Sequence, residues 1–450
     1  MTESDRFSAR AARHLRVGAH VGTAAARIAG ARLMTGKADD AASAAALAQA
    51  LGRLKGPMMK VAQMLATIPD ALPPEYAQSL AQLQAHAPPM GAAFVKRRMQ
   101  AELGPDWQTK FAKFDLHPAA AASLGQVHQA QTHEGQLLAC KLQYPDMASA
   151  VEADLKQLDM IFSLHRRMRP VIDTREIAKE IAARLREELD YRREAQHAAL
   201  YAEMLAPYAD IRVPKIDATL STQRLLSMQW LDGRPIRSAF SASQEERNAI
   251  GIALFHAWWI PFSHYGVIHG DPHLGNYTVF GEKQAEGVNL FDYGCIRIFP
   301  PHVVASVVDL YKGLLHGDGP RVVQAYETFG FRGLSKATIE ALNIWARFIY
   351  GPILDDRIRT VADGVSPGLY GRKEAFSVHQ ALREHGPVTI PREFVFMDRA
   401  AIGLGAAFLH LDAKLNFYEL FNAAIDGFSL EALAAKQAAA LTNAGLPPPQ

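Results

Sequence analysis

Ile268-His-Gly-Asp-Pro-His-Leu-Gly-Asn276 and, further on, Val288-Asn-Leu-Phe-Asp-Tyr-Gly294 decide how this chain is read. Together they predict a polar turn, a short strand at 277–280, a Gly-bounded turn at 281–287 and a returning strand at 288–291. A hairpin of that size brings its two ends together. One end carries Asp271 and Asn276, the other carries Asp292, and His269 and His273 lie beside them. Three oxygen-bearing side chains at the mouth of one hairpin suit Mg²⁺, a hard cation that keeps some waters and takes further oxygens from substrate phosphates. The plainer alternative is a carboxylate-lined turn that holds no metal. Two motifs falling at opposite ends of one predicted hairpin argue against it.

Length and composition set the outer limits. A chain of 450 residues is too long for one ordinary core, so two or three domains or lobes are expected. Hydrophobic content of 49% and charged content of 21% describe an ordered globular protein. A net charge of +2 leaves no broad basic footprint, so nucleic acid is not expected as a partner. Cys140 and Cys295 belong to no CxxC or His-rich cluster, so neither a disulfide framework nor a structural zinc is expected, and a reducing compartment fits. The N-terminus opens on acidic residues without a continuous apolar segment, so no signal peptide is read. The apolar runs Ile250–Ile268 and Ala400–Leu411 are interrupted or too short for a span, which takes about 20 apolar residues. The expectation is a cytoplasmic protein, soluble or peripheral to the inner face of a membrane, with no transmembrane helix.

Residues 6–37 carry Arg6, Arg10, Arg13, Arg16, Arg27, Arg32 and Lys37 with no acidic residue between them. Such a basic, Ala-rich helix could lie on an anionic membrane surface; a solvated helix is the alternative, because alanines bury little area. Residues 39–108 read as helices. Pro57 suits the first turn of a fresh one, which sets Lys60 and Gln63 on the same side, and the last of them covers 92–103. This helical segment reads as separate from the remainder of the chain.

The pattern then changes. A strand is predicted at 111–116, a small-residue turn at Ala119, Ala120, Ala121, Ala122 and Ser123, and a strand at 137–143 in which Leu138, Cys140 and Leu142 share one face and Lys141 the other. A lysine in mid-strand is costly unless a carboxylate or a ligand phosphate meets its charge. Ahead of that lysine, the alanine-rich turn is a candidate phosphate loop, against a tight β-turn that merely needs small side chains. A long helix over 173–205 would set Asp190 and Glu194 at i and i+4, where like charges repel unless cations such as Lys141 or Lys60 sit against them. A solvated helix with local Glu–Arg pairs is the other reading. Strands follow at 211–214 and 224–230, then a turn at 231–235 taken as the hinge between two lobes, an apolar helix at 245–264, and mostly helix to 440 with loops at 364–372 and 385–391.

An Asp, an Asn five residues on and an Asp-aromatic-Gly are the layout of phosphoryl-transfer catalytic and metal loops, and Lys141 stands where a kinase holds the nucleotide phosphates. With these residues the chain resembles the UbiB/AarF family of atypical kinase-like proteins over about residues 50–430. That family is linked with ubiquinone and other isoprenoid-lipid metabolism. The resemblance implies an α+β, bilobal protein-kinase-like fold. A basic segment (1–38) and a helical extension (39–108) would precede a small antiparallel-sheet N-lobe (109–230) and a mainly helical C-lobe (231–450). It places the family's Lys-x-Gly-Gln motif on Lys60-Val-Ala-Gln63, its alanine-rich nucleotide loop on Ala119–Ser123 and its nucleotide lysine on Lys141, with Glu194 as partner. The Glu-x-Asp motif falls on Glu188 and Asp190, the catalytic aspartate on Asp271, and the metal ligands on Asn276 and Asp292. Ala62 stands where the signature has Gly, Leu274 replaces a common Pro and Tyr293 the usual Phe; the pair of C-terminal membrane helices of some bacterial members is not evident.

The implied activity is that of an ATPase binding Mg-ATP or ADP between two lobes. Protein phosphorylation in trans would be poor, because the Lys60 helix would lie near Glu188 and Asp190 where a peptide would enter. Implied partners are the nucleotide, an anionic membrane surface, isoprenoid or quinone lipids and other biosynthetic enzymes, and a homodimer is allowed. Two rivals are a small-molecule phosphotransferase that uses the same His-Gly-Asp loop, and a nucleotide-binding scaffold of a biosynthetic complex without turnover.

Overall fold

A computed structural model describes residues 90–122, 124–168, 182–282, 284–363 and 391–449. In chain order the elements that matter here begin with α1 (Ala92–Leu103), β1 (Lys113–Phe114), β2 (Ala120–Ala122), β3 (Gly125–Gln131), β4 (Leu137–Gln143), α2 (Met147–Met168) and α3 (Tyr191–Leu205). Next come β5 (Ile211–Arg212), β6 (Leu225–Gln229), β7 (Arg234–Pro235), α4 (Gln244–Tyr265), β8 (Val267–His269), β9 (Tyr277–Phe280), β10 (Gly287–Leu290) and β11 (Ile296–Ile298). Helices complete the chain: α5 (Pro301–His316), α6 (Gly319–Phe329), α7 (Lys336–Tyr350), α8 (Arg392–Leu411), α9 (Phe417–Ala424) and α10 (Leu430–Asn443). The contacts divide these into two units, one running through Asp190 and including Thr222–Ser227, the other Tyr191–Ser221 with Met228 onward.

The first unit is built on an antiparallel sheet in the order β1-β3-β4-β6, with β2 also paired to β3. The alternation in 137–143 lands as its pattern requires, since Leu138, Cys140 and Leu142 are buried while Lys141 lies half-buried on the other face, opposite Val127. The alanine-rich segment is a strand rather than the expected turn. Ala120–Ala122 pairs antiparallel with Gly125–Val127, and the Ala119 amide donates to the Val127 carbonyl at 2.8 Å. The strand expected at 111–116 shrinks to two residues, because a 3₁₀ turn occupies 107–110 and the Asp115 carboxylate accepts from the His117 amide, turning the chain aside.

Helix α1 has the bounds that the sequence predicts, yet it is tied to the sheet. Arg98 donates from Nε to the Gln143 carbonyl at 3.3 Å and from Nη2 to the Tyr144 carbonyl at 3.2 Å. The continuous helix expected over 173–205 is interrupted. Residues 182–187 are helical, 188–190 form a turn closed by the Leu189 amide on Arg186 and the Asp190 amide on Glu187, and α3 then starts afresh at Tyr191. The Leu189 carbonyl is drawn out of the helical ladder by the Gln143 side-chain amide at 3.2 Å. Asp190 thus precedes α3 and Glu194 lies in its first turn, where the helix dipole favours negative charge.

A buried polar chain stitches this unit together. Gln126 accepts from the Met90 amide at 2.7 Å and donates to His128 Nε2 at 2.9 Å, so the remaining His128 proton sits on Nδ1 and donates to the Asp115 carbonyl at 2.8 Å. The imidazole stacks on Phe114 at 5.3 Å.

In the second unit α4 is apolar nearly all round and buried along most of its length, as befits a helix surrounded by protein. Ser243 caps it, accepting from the Glu246 amide at 3.2 Å. Around it lie a sheet in the order β5-β10-β9-β7, the β8–β11 pair and the helices α5 to α10.

Burial holds the His128 imidazole below its ordinary value. A depressed folded-state value means that the unfolded chain takes the proton first, so His128 contributes stability above about pH 6.5 that is lost as the pH falls below it. His128→Phe should cost about 1–3 kcal/mol at pH 7.5 by stranding its partners, and the gap to wild type should narrow by pH 5.5, measured by denaturant unfolding. A gap that is constant across this range contradicts the network.

Candidate functional site

Two antiparallel pairings build the site. The β9–β10 hairpin closes with Tyr277 opposite Leu290 and Phe280 opposite Gly287, and β8 pairs with β11 with His269 opposite Ile296. The loops at 270–276 and 291–295 therefore run side by side, tied by the Phe291 amide on the Asn276 carbonyl at 2.9 Å and the Gly270 amide on the Cys295 carbonyl at 2.6 Å. Position 270 tolerates no side chain, because a Cβ there would stand 2.9 Å from both the carbonyl oxygen and Sγ of Cys295.

His269 is the pin between the loops. It is fully buried; its Nδ1 accepts from the Asp271 amide at 3.2 Å, and its Nε2 lies 2.6 Å from the Asp292 carbonyl. Since Nδ1 accepts, the single proton sits on Nε2 and is donated to Asp292. The ring is caged by Trp258, Tyr201 and Tyr293 at centroid distances of 5.8, 6.1 and 6.2 Å.

Asn276 donates through Nδ2 to the Asp271 carbonyl at 3.1 Å, which fixes its amide and assigns the opposite end, Oδ1, as the ligand-competent atom. Asp292 adopts φ +62°, a left-handed conformation that Asp tolerates when its own side chain makes a local turn. Its Oδ1 does so, accepting from the Gly294 amide at 3.1 Å. His273 caps the intervening 3₁₀ turn, accepting from the Gly275 amide at 3.0 Å. Asn276 and Asp292 thus supply an amide oxygen and a carboxylate, a donor set that fits a hard divalent cation completing its shell with water and phosphate. Among the described residues no three His, Cys, Asp or Glu side chains form a metal cage of their own.

Helix α3 abuts the Asp-Tyr-Gly loop. Glu194 is buried at 3% exposure, and one turn later His197 Nδ1 lies 3.0 Å from the Tyr293 carbonyl. Tyr293 donates its hydroxyl to the Leu290 carbonyl at 2.7 Å, and Tyr277 accepts from Trp258 Nε1 at 3.0 Å. Burial raises the Tyr293, Tyr201 and Tyr277 hydroxyls well above the usual phenol range, so all three stay protonated.

Asp271, Asn276 and Asp292 thus stand on adjoining loops of the second unit, and Glu194 belongs to the same unit. Lys141 belongs to β4 and Ala119–Ala122 to the β2 edge of the first unit, while Glu188 and Asp190 occupy the turn before α3. Lys60, Gln63 and Ser123 lie outside the described residues, as do the basic segment 1–38 and the loops at 364–372 and 385–390. Sequence reading passed over His197, three residues after Glu194 on the same helix face, and Trp258 and Tyr201. A generic helical pattern carries no mark that these side chains brace the two loops.

The ABC1 atypical kinase-like domain matches residues 82–326, just over half of the chain. The chain belongs to this family. The UbiB/AarF resemblance is thereby met, and the fold is kinase-like, with one unit on an antiparallel sheet and the other mainly helical. The chain is 30% identical over 285 residues to the Arabidopsis thaliana chloroplast protein ACTIVITY OF BC1 COMPLEX KINASE 8, covering 62% of this chain and 37% of the relative. It is 28% identical over 310 residues to the mitochondrial atypical kinase COQ8B of Rattus norvegicus, covering 67% and 58%. The chain therefore spans about two-fifths to three-fifths of these relatives' length. Among solved structures it resembles the Mycobacterium tuberculosis protein Rv3197 in complex with erythromycin, with a TM-score of 0.59 at 26% identity over 84% of this chain and 94% of that one. Among the described residues no helix of this ABC1 protein is long and apolar enough to cross a membrane.

His269→Phe keeps the shape of the ring and removes its hydrogen bonds to the Asp271 amide and the Asp292 carbonyl. The expected cost is about 1–3 kcal/mol, with faster hydrogen exchange at the Asp271 amide. Unaltered exchange there would show that the loops hold each other without the imidazole.

Proposed function

We propose that this protein is an atypical kinase-like ATPase that binds Mg-ATP or ADP and acts in ubiquinone or other isoprenoid-lipid metabolism, phosphorylating proteins poorly in trans. The observation that carries the reading is the His269 pin, which holds Asp271 and Asn276 on one loop against Asp292 on the other. In this reading Asn276 and Asp292 would hold Mg²⁺, which would supply positive charge to neutralise the phosphate oxygens. Asp271 orients the attacking hydroxyl or water and receives its proton. Lys141, set by Glu194, holds the α- and β-phosphates, and the β2 edge with Ser123 covers the nucleotide. Little covalent work falls to the protein, and the gain comes from positioning and charge.

Membership of a family whose relatives are named as kinases supports phosphoryl transfer over a passive scaffold. Lys60 and Gln63, set against Glu188 and Asp190, would occlude a peptide substrate, which leaves water or a lipid-borne group as acceptor. The basic segment 1–38 would bring the protein to an anionic membrane surface. Other biosynthetic enzymes and a second copy of the chain are further partners consistent with this role.

The test is a nucleotide-binding and hydrolysis assay on the purified chain. Asp292→Asn, which keeps the acceptor for the Gly294 amide, should weaken Mg²⁺-dependent binding of a fluorescent nucleotide at least tenfold and abolish turnover. Asp271→Asn should retain binding and lose turnover by about a hundredfold or more. Full ATP hydrolysis by Asp292→Asn overturns the assignment, and radiolabel passing from ATP to a soluble alcohol with no response to lipid vesicles replaces it with a small-molecule phosphotransferase. Deleting residues 1–37 should lower co-sedimentation with anionic liposomes; equal sedimentation removes the membrane role of that segment.

A further inference from the structure

In the helical unit the described residues line a partly open apolar cavity of about 120 Å³ that the metal and catalytic loops do not use. Among the described residues its wall comes chiefly from α4, α5, α7 and α8, is almost entirely carbon, and includes no charged side chain. Eight of the lining residues are aromatic, among them Trp259, Trp345, Phe394 and Phe408. The phenol among the described lining residues, Tyr350, is already committed, since its hydroxyl donates to the Val307 carbonyl at 3.2 Å. Water has little to gain in such a space, because an ordered water needs two to four polar partners.

Close-packed interiors hold few voids larger than a water molecule, and a void leaves every lining atom short of dispersion contacts. A dry apolar cavity of roughly 150 Å³ takes benzene. The one here is of similar size, and its aromatic wall offers flat faces and edges to a ring. A whole lipid does not fit in that volume, and a charged group would be stranded in it.

A second observation links the cavity to the loop at 270–276. Helix α8 forms one side of the wall through Phe394, Met397, Ala401, Leu404 and Phe408. The same helix meets Pro272 at Gly403, so closely that a Cβ there would fall 2.3 Å from Pro272 Cγ. Pro272 is the residue after Asp271. A shift of α8 on filling the cavity therefore presses directly on the loop that carries Asp271.

We propose that this cavity binds a small, uncharged molecule bearing an aromatic or similarly flat hydrocarbon ring, and that α8 conveys its occupancy to the 270–276 loop. Binding stands by itself; a consequence for turnover rests on the phosphoryl-transfer reading of the site. The experiment titrates the full-length chain with bromobenzene, whose heavy atom quenches tryptophan emission, and in parallel records the Tm with butylbenzene. Saturable quenching and a saturable rise in Tm are expected. Ala346→Leu and Ala401→Leu, each of which fills the cavity, should weaken both responses at least tenfold while the circular dichroism stays native. Quenching that grows linearly without saturation, or is unchanged in both filled variants, overturns the site. So does a response to phosphatidylcholine vesicles alone, which would assign the effect to a membrane surface. With binding established, saturation by bromobenzene should change hydrogen exchange at the Asp271 amide, and unchanged exchange overturns the link through α8. None of these readouts needs nucleotide, so they fail or stand independently of Asp292→Asn.

Discussion

The site depends on one imidazole that carries one proton. His269 accepts from the loop of Asp271 and donates to the loop of Asp292, and both bonds are shielded from water. In a low-dielectric setting such bonds are strong and their loss is expensive. The ring satisfies two backbone groups that the hairpin and the β8–β11 pair leave over, and in doing so ties together the two loops that carry the acidic side chains. The aromatic cage of Trp258, Tyr201 and Tyr293 makes the arrangement rigid by keeping water out. His128 performs the same bridging task in the sheet unit with the opposite tautomer, donating from Nδ1 and accepting at Nε2. Each histidine is neutral because its neighbours demand one donor and one acceptor.

Local backbone needs explain several residue choices around the pin. Asp292 takes a left-handed conformation that its own carboxylate supports through Gly294. Gly270 and Gly403 are small because another backbone or ring stands where a Cβ would go. The second of these brings a helix of the apolar cavity against the residue after Asp271. A helix that is a wall of one space and a neighbour of another is a direct mechanical connection between them.

What the sequence showed well was local. Aromatic and β-branched residues around a Gly-bounded loop marked the hairpin, which forms at 277–280 and 287–290. Alternation in 137–143 marked both the strand and the two faces that separate Lys141 from Leu138, Cys140 and Leu142. Helix α1 forms over the span expected for it, 92–103. The elements misread were those settled by partners distant in sequence. Ala120–Ala122 extends because β3 offers a ladder to it, and alanines by themselves carry no strand signal. The helix before α3 stops because Gln143, 46 residues away, takes the Leu189 carbonyl.

By itself, then, the sequence determined the motif set, its order and the hairpin on which Asp271, Asn276 and Asp292 are mounted, because those follow from residue type and short-range spacing. Tertiary structure alone decided which histidine pins the loops and which proton it carries, where Asp190 and Glu194 part company, and that a ring-sized apolar space lies behind Gly403. Those outcomes depend on hydrogen-bond partners and packing surfaces brought together from positions far apart in the chain. No local pattern encodes such a meeting.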